Sequence, residues 1–368
     1  MINRFKNYNY GYKLLSVAKN INITFELSNQ ELSYLLIDNG NVIIFPENLT
    51  LFVTEEEYKG LLELNNFDVI EIWDNGRINR LYNDSSEDNY FFMTGACNSN
   101  CIMCPSPSFS RKHYNNTTIE EHLKLAQYIP SDTPHLTITG GEPFMFGREI
   151  FTFIEFLKNK FVNTEFLFLT NGRVFSIDDY LEKFIECIPD LSIVAIPIHG
   201  SNPNVHDKIT QAKGSFEQTK LGIKRLLANN IAVELRIVIN KLNIDDFDKI
   251  ADLIITNFSE VEYVSIIAME MTGNARENID DVWIPYKESF NRIRNSILKI
   301  IKAEIDIKLY NFPLCTVDKE FWMLCKKSIS LDKIRFDKKC DGCLYKKECS
   351  GVFLGTFDLE KDELEAII

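Results

Sequence analysis

The first 88 residues alternate short apolar runs with turn-forming residues, which indicates a small module of mixed strands and helices. The apolar runs 34–37 and 42–45 flank Asn39-Gly40, a pair that is typical of tight β-hairpin turns. We expect residues 1–88 to form a small α+β module. This part of the sequence has no evident set of catalytic residues.

From residue 89 onward, apolar runs of strand length alternate with longer segments of helical periodicity. This alternation predicts six strand–helix units and a parallel β-sheet. The predicted strands are 90–94, 136–139, 166–169, 193–198, 233–239 and 263–267. One predicted helix begins near residue 118, and the others span 150–160, 178–188, 215–228, 245–257 and 285–302.

Six such units are compatible with an open doubly wound sheet and with an incomplete barrel, and periodicity does not choose between them. In both architectures, ligands and reacting groups meet at the carboxyl ends of the strands. Three segments directly follow the first three predicted strands: 97–104, 140–143 and 170–172. We therefore expect these segments to lie together at one end of the sheet.

Cys97, Cys101 and Cys104 lie within eight residues of one another, directly after the first of these strands. Their spacing lets three thiolates converge on an iron–sulfur cluster. A [4Fe–4S] cluster normally takes four such ligands, so three leave one iron open to bind and reduce a small molecule. A zinc site or plain buried thiols are the alternatives, although zinc loops usually have a second Cys or His pair close by.

The Cys-x3-Cys-x2-Cys loop and the stretch 140–143 together resemble the radical S-adenosylmethionine (SAM) enzymes. The resemblance implies an α/β fold with a partial (β/α)6 TIM-like barrel over residues 89–304. It also implies that a [4Fe–4S] cluster on Cys97, Cys101 and Cys104 binds SAM and cleaves it reductively to a 5′-deoxyadenosyl radical. An electron donor such as a flavodoxin or ferredoxin is then an expected partner.

Gly140, Gly141 and Glu142 follow the second predicted strand. Glycines let a ligand lie against the backbone. The resemblance implies that this stretch holds the methionine end of SAM, with Glu142 on the amino group. A tight strand–helix turn is the structural alternative for the two glycines.

Thr170 and Asn171 end the third strand, where the resemblance implies contacts near the ribose and the methionine carboxylate of SAM. A helix-capping turn is the alternative. Arg236 lies within the apolar fifth strand, and a guanidinium there needs a charged partner. That partner is either the SAM carboxylate or an acid such as Glu234 in an internal ion pair.

The sixth strand runs into Met269 and Gly273, where the resemblance implies that the backbone approaches the adenine of SAM. The family often has an aromatic residue just before the third cysteine. Met103 stands there in this sequence, and its thioether can still cover a purine face. His199 follows the fourth strand, where it could relay protons or be a hydrogen-bonded structural histidine.

A second group of cysteines lies in the segment 305–368. Its members are Cys315, Cys325, Cys340, Cys343 and Cys349. Four thiolates suit a zinc ion or a fully ligated [4Fe–4S] cluster. The segment resembles the shortened auxiliary extension of peptide-modifying radical SAM enzymes, which implies a C-terminal iron–sulfur extension with one auxiliary [4Fe–4S] cluster. We assign Cys315, Cys340, Cys343 and Cys349 as the ligands of this cluster. Cys325 competes with Cys315 for one of the four positions.

Composition and charge narrow the expected partners and compartment. A net charge of −13 argues against a surface that tracks phosphates, so nucleic acid is not an expected partner. No apolar segment follows residues 1–6 as in a secretory signal, and no apolar run is long enough to span a membrane. The 9 cysteines then favour metal ligands in a cytoplasmic protein over disulfides.

Short stretches spread over nearly the whole chain resemble the HxsC-type maturases of the His-Xaa-Ser peptide system. These stretches are 101–108, 211–214, 269–273 and 327–330. This resemblance implies a ribosomally made precursor peptide as the substrate and a second radical SAM maturase as a partner.

The sequence therefore predicts a radical SAM iron–sulfur oxidoreductase that oxidatively modifies a precursor peptide, giving a crosslinked or otherwise oxidised product. Two other hypotheses are kept. One is a radical SAM enzyme that acts on a small metabolite, which binding of a precursor peptide would count against. The other is a non-catalytic iron–sulfur scaffold or electron carrier, which would show no SAM turnover.

Overall fold

The computed structural model describes residues 4–106 and 117–368. The stretch 101–108 extends past this limit, so Pro107 and Ser108 lie outside the described residues. Within the described ranges, no helix is both long enough and apolar enough to cross a membrane.

The N-terminal module is a six-stranded mixed sheet with two helices. Its elements are β1 (Lys13–Ala18), α1 (Ile21–Asn29), β2 (Tyr34–Asp38), β3 (Asn41–Phe45), β4 (Leu49–Thr50), α2 (Glu55–Leu61), β5 (Val69–Ile72) and β6 (Ile78–Tyr82). The strand order is β4-β3-β2-β1-β5-β6. The predicted hairpin at Asn39-Gly40 is confirmed, because β2 and β3 pair in antiparallel register up to Asp38 and Asn41.

This module is joined to the rest of the molecule by a shared core. Leu14, Val69 and Tyr82 belong to the main apolar core rather than to the module's own core. The Tyr82 hydroxyl lies 2.9 Å from the Thr133 hydroxyl, which precedes the second strand of the central sheet. The two parts therefore pack as one body.

The central sheet has eight described strands, each parallel to its neighbours. They are β7 (Tyr90–Phe92), β8 (His135–Thr139), β9 (Glu165–Leu169), β10 (Ser192–Pro197), β11 (Ala232–Val238), β12 (Tyr263–Ile267), β13 (Ile307–Tyr310) and β14 (Cys325–Lys326). Their order in the sheet follows their order in the chain, without a reversal. All six predicted strands are confirmed to within two residues at either end.

Helices connect these strands and cover one side of the sheet. They are α3 (Ile119–Tyr128), α4 (Glu149–Lys160), α5 (Asp178–Cys187), α6 (Pro203–Thr210), α7 (Ser215–Ala228), α8 (Phe247–Asn257), α9 (Asn274–Glu277), α10 (Ile279–Val282) and α11 (Tyr286–Lys302). Short 3-10 helices lie at Pro143–Phe146, Arg173–Ser176, Ile244–Asp246, Leu314–Thr316, Lys319–Leu324, Lys338–Gly342 and Lys361–Glu363.

The two faces of the central sheet differ in polarity, because successive residues of a strand point to opposite sides. One face is apolar and almost fully buried under the helices. It carries Leu136, Ile138, Phe166, Phe168, Val194, Ile196, Leu235, Ile237, Val264 and Ile266. The opposite face is half-exposed and carries polar residues such as Thr137, Arg236, Tyr263 and Lys308.

The C-terminal segment continues the sheet and then folds back on it. β13 and β14 extend the parallel sheet past residue 304, where we placed the end of the central domain. The rest contains a small antiparallel pair, β15 (Ile334–Arg335) and β16 (Val352–Phe353), and the short helix α12 (Phe357–Glu360). The domain limits 1–88, 89–304 and 305–368 remain predictions.

Candidate active site

Two glycines join the turn after β8 to the cysteine loop. The Gly141 and Glu142 N–H groups donate to the carbonyls of Thr94 and Ala96 at 2.7 and 2.8 Å. A Cβ on Gly141 would lie 2.3 Å from the Ala96 oxygen, and one on Gly140 would lie 2.6 Å from the Thr94 oxygen. Both positions therefore exclude a side chain, and this turn is in direct contact with residues 94–96, which lead into the cysteine loop.

Glu142 is almost completely buried between the second and third of these segments. Its carboxylate accepts from the Thr170 hydroxyl at 2.8 Å, the Asn171 N–H at 2.8 Å and the Phe144 N–H at 3.2 Å. Burial raises the pKa of Glu142, and the three donors oppose that rise. A carboxylate offers about four acceptor positions. One position thus remains for a further donor, such as the amino group of SAM.

The segment after β9 also binds the cysteine loop directly. The Asn171 side-chain amide donates to the Asn98 side chain at 2.6 Å. The Arg173 guanidinium donates to the Asn98 carbonyl at 2.7 Å and to the Ser99 hydroxyl at 3.2 Å. The sequence analysis missed Arg173, whose only signal was a charged residue directly after Thr170-Asn171-Gly172.

The segment after β12 closes the other side of the cysteine loop. The Asn274 N–H donates to the Cys104 carbonyl at 2.9 Å, and its side-chain amide donates to the Cys101 carbonyl at 2.9 Å. Gly273 has a positive φ of 55°, and a Cβ there would lie 2.4 Å from the Pro105 oxygen. The segment after β12 therefore reaches the site by contacting the cysteine loop.

Cys97, Cys101 and Cys104 are half-buried on this loop. The Ser99 N–H points to the Cys97 sulfur at 3.4 Å, a contact that stabilises a thiolate. In the described ranges, no group of three or more His, Cys, Asp or Glu side chains is arranged to hold a single metal ion. Three thiols on one loop, held on both sides by hydrogen bonds, are a donor set that fits an iron–sulfur cluster with one open iron.

Met103 and Met269 lie in one small apolar cluster beside this loop. Both are buried, and they share the cluster with Ile209, Met271, Ala275 and Val282. The structure thus brings together two residues that are distant in sequence. Their contact with an adenine ring remains a prediction.

Arg236 and His199 lie further along the same end of the sheet. The Arg236 Nε is 3.7 Å from a carboxylate oxygen of Glu234, which is the internal ion pair named as the alternative. His199 is buried, and its Nδ1 has no hydrogen-bond partner within the described ranges. Burial lowers the pKa of His199 to about 3, so its ring is neutral at physiological pH.

A small cavity in the C-terminal segment is lined by Cys315, Cys340, Cys343 and Cys349. Cys325 is not among its lining residues, and its sulfur lies 3.8 Å from the Phe321 carbonyl. Burial raises the pKa of three of the lining thiols, Cys315, Cys340 and Cys349.

Backbone N–H groups point at sulfurs in this cavity. Those of Leu314 and Gly351 lie 3.4 and 3.5 Å from the Cys349 sulfur, and that of Ile367 lies 3.4 Å from the Cys343 sulfur. Such contacts stabilise cluster thiolates and tune their reduction potential. The four-thiol donor set therefore fits a fully ligated [4Fe–4S] cluster.

The class of the central domain follows from a comparison with known families. Residues 91–254 match the model of the Radical SAM superfamily, so this part of the chain is a radical SAM domain. The match contains the cysteine loop, Glu142 and Arg236. For this domain, the match implies the chemistry of a radical SAM iron–sulfur enzyme, with a [4Fe–4S] cluster and SAM.

Two curated relatives each match part of this chain. The chain is 28% identical over 163 residues to Fe-coproporphyrin III synthase of Methanosarcina barkeri, covering 44% of this chain and 39% of that protein. It is 30% identical over 171 residues to the antilisterial bacteriocin subtilosin biosynthesis protein AlbA of Bacillus subtilis, covering 44% of this chain and 36% of that protein. The chain thus spans less than half the length of these relatives.

A solved structure with a similar fold is Streptococcus suis SuiB bound to S-adenosylmethionine. Its TM-score is 0.50 at 12% sequence identity, and the match covers 66% of this chain and 53% of that chain. At this identity the likeness shows the fold alone, a mixed α/β arrangement around a parallel sheet.

Proposed function

We propose that this protein is a radical SAM peptide maturase, which cleaves SAM to a 5′-deoxyadenosyl radical and oxidatively crosslinks a ribosomally made precursor peptide. The observation that carries this proposal is the meeting of the segments after β7, β8 and β9 around Cys97, Cys101 and Cys104, inside the matched domain. The bound cluster supplies the electron for SAM cleavage.

The residues of this chain hold the cofactor and exclude water. Cys97, Cys101 and Cys104 are the cluster ligands in this proposal, and Glu142 accepts the amino group of SAM at its remaining position. The other proposed contacts to SAM are Met103, Gly140, Gly141, Thr170, Asn171, Arg236 and Met269. Glu142, Met103, Thr170 and Met269 are buried, which supports a site in which a reactive intermediate is shielded from solvent.

An auxiliary [4Fe–4S] cluster on Cys315, Cys340, Cys343 and Cys349 is also part of the proposal. The common cavity lined by these four thiols supports it. Such a cluster would accept an electron from the peptide radical or help to hold the peptide.

The fold that we propose for residues 89–304 is a partial (β/α)6 TIM-like barrel. The sequential strand order supports it, because a doubly wound sheet reverses its order at a switch point. Residues 1–88 are then the N-terminal module, and residues 305–368 are the extension.

A peptide substrate is supported by the partial match to AlbA, whose name assigns it to the biosynthesis of a bacteriocin. The HxsC-type resemblance adds a second radical SAM maturase as a partner, and reductive cleavage adds a flavodoxin or ferredoxin as electron donor. Nucleic acid and membranes are not proposed as partners. Cytoplasmic location is proposed because eight of the nine cysteines lie in two groups that suit metal ligands, which favours a reducing compartment.

A small metabolite is the second candidate substrate. The specific observation in its favour is the match to Fe-coproporphyrin III synthase, which covers the same share of this chain as the match to AlbA. A precursor peptide that binds the protein and is modified by it would exclude this candidate.

The proposal is tested by iron, zinc and 5′-deoxyadenosine analysis after anaerobic reconstitution. We expect about 8 irons per chain in the wild type and about 4 in a variant with Cys97, Cys101 and Cys104 replaced by Ala, because each cubane holds four. Only the wild type should produce 5′-deoxyadenosine. Cys187→Ala is the matched control, since this buried thiol lies outside both cysteine groups, and it should keep about 8 irons.

Other results would change the proposal in defined ways. About 4 irons and one zinc in the wild type would keep the radical chemistry but make the C-terminal site structural. A fully loaded wild type that makes no 5′-deoxyadenosine, with reductant and peptide present, would favour the scaffold hypothesis.

A further inference from the structure

Three polar side chains lie side by side on the half-exposed face of the central sheet. Arg236 on β11, Ser265 on β12 and Lys308 on β13 are register partners across three adjacent parallel strands. The residues before and after each of them are buried in the apolar core on the other face. Because side chains alternate along a strand, these three point to the same side.

The middle residue of this row has an unsatisfied polar group. Ser265 is fully buried, and its hydroxyl forms no hydrogen bond within the described ranges. A buried hydroxyl without a hydrogen-bond partner destabilises the folded protein. A group that accepts or donates a hydrogen bond at this point would remove that cost.

The two cations that flank Ser265 have one carboxylate in direct contact between them. Among the described residues, Lys308 forms no ion pair, and its ammonium lies 3.2 Å from the centroid of the Tyr263 ring. Arg236 has Glu234 as its partner at 3.7 Å, and the Tyr263 hydroxyl donates to the same carboxylate at 3.3 Å. Glu234, Asp306 and Glu262 act on Lys308 only from beyond ion-pair distance, so the Lys308 ammonium has no direct anionic partner.

A cavity of about 470 Å³ opens on the same face of the sheet, at the amino ends of the strands. Thr137, Leu167, Ile193 and Ala232 line it, and all four lie in one register row of the half-exposed face. Tyr263 lines the same cavity and contacts Lys308. The volume suits a ligand of moderate size.

The outer part of this cavity is acidic, with Glu165, Asp190 and Glu262 among its lining residues. These carboxylates disfavour the entry of a free anion. They favour a longer chain that carries a positive charge near the rim and a negative charge near Lys308.

We propose that Lys308 and Ser265, with Arg236 beside them, bind a carboxylate group carried by the substrate of this domain. A carboxylate has two oxygens that accept from an ammonium and a hydroxyl together, and it would give the Lys308 ammonium the direct anionic partner that the described residues do not supply. The inference rests on the proposed function, because the substrate of a radical made at the carboxyl ends of the strands would lie on this face. Arg236 is also the proposed contact of the SAM carboxylate. Variants of Lys308 and Ser265 therefore test binding of the substrate carboxylate without altering that contact.

The test measures binding by calorimetry to the reconstituted full-length protein saturated with SAM. The probe is the peptide acetyl-Lys-Ala-Glu-amide, and acetyl-Lys-Ala-Gln-amide is its neutral match. We expect the glutamate peptide to bind about tenfold more tightly, as for one charge-assisted hydrogen bond. Lys308→Gln should abolish this preference, and Ser265→Ala should reduce it about threefold.

Two further variants separate charge from structure. Lys308→Arg keeps the charge and should keep the preference even where Lys308→Gln lowers stability. Lys302→Gln removes an exposed charge at the end of α11 and should leave both affinities unchanged.

Several outcomes would overturn the inference. The two peptides could bind equally, or the preference for the glutamate peptide could survive Lys308→Gln. That preference could also be seen only without SAM. Finally, inorganic phosphate could compete more strongly than acetate at equal ionic strength. 5′-Deoxyadenosine is measured in the same samples. Product without a peptide preference refutes this inference alone, and a preference without product refutes the proposed function alone.

Discussion

Glu360 is a buried carboxyl group that holds the C-terminal segment against α11. It is fully buried and lies within hydrogen-bond reach of the Tyr286 N–H, at 3.2 and 3.3 Å from its two oxygens. Burial raises the pKa of Glu360 from 4.5 to about 8. The folded protein therefore binds this proton over a pH range in which the unfolded chain has released it.

Glu360→Gln should change how stability depends on pH. A raised folded-state pKa means that the wild-type free energy of unfolding falls as pH rises from about 4.5 to about 8, where Glu360 loses its proton in the folded state. The amide keeps an acceptor for the Tyr286 N–H but does not titrate. We expect the variant to be more stable than the wild type at pH 9. The difference in the free energy of unfolding should be on the order of a few kcal/mol, as a pKa shift of this size implies. Urea unfolding of both proteins between pH 5 and pH 9 measures this, and parallel pH profiles would contradict it.

At the scale of elements, the sequence predicted most of the central sheet. Alternating apolar strands and amphipathic helices have strong periodicity, so their ends were placed to within two residues. The strands β13 and β14 and the helices α6, α9 and α10 were not predicted. β14 has two residues, too few for a pattern, and its pairing with β13 is decided by tertiary packing.

The candidate site was predicted less completely than the sheet. Spacing was enough to select Cys97, Cys101 and Cys104, because covalent loop length limits where three thiols can meet. The contacts of Arg173 with the cysteine loop span more than 70 residues of sequence. No local pattern encodes such a contact. Likewise, only the structure explains why residue 141 is a glycine, because the Ala96 carbonyl occupies the space that a side chain would need.

Gly141→Ala should displace the cysteine loop, because the new Cβ would lie 2.3 Å from the Ala96 oxygen. Overpacking of this kind costs about 1–3 kcal/mol. We expect about 4 irons per chain after reconstitution, with the C-terminal cluster kept and SAM cleavage lost. Gly214→Ala is the control, since Gly214 has a φ of 80° but nothing within 4 Å of a Cβ, so it introduces backbone strain without a clash. Iron content and 5′-deoxyadenosine yield are measured in both variants. Wild-type values of both quantities in Gly141→Ala would refute the role assigned to the contact between Gly141 and Ala96.

At the scale of the whole molecule, the two cysteine sites are connected through one loop. The Thr356 hydroxyl donates to the Met269 carbonyl at 3.3 Å and accepts from the Met271 N–H at 3.0 Å. The same loop continues to Gly273 and Asn274, which contact the cysteine loop. The C-terminal segment therefore supports the segment that closes the SAM-cluster loop.

Thr356→Val should weaken this connection without changing side-chain volume. The Met271 N–H would lose its acceptor in a buried site, which costs about 1–3 kcal/mol. We expect faster hydrogen exchange at the amides of residues 269–274 and a lower urea midpoint. Thr256→Val is the control, because the Thr256 hydroxyl bonds only within the exposed face of α8. Because residues 269–274 contact both Thr356 and the cysteine loop, we expect hydrogen exchange at residues 97–104 to become faster in Thr356→Val as well. Thr256→Val should leave exchange in both segments unchanged. A wild-type exchange rate at residues 97–104 in Thr356→Val would show that the two sites are independent.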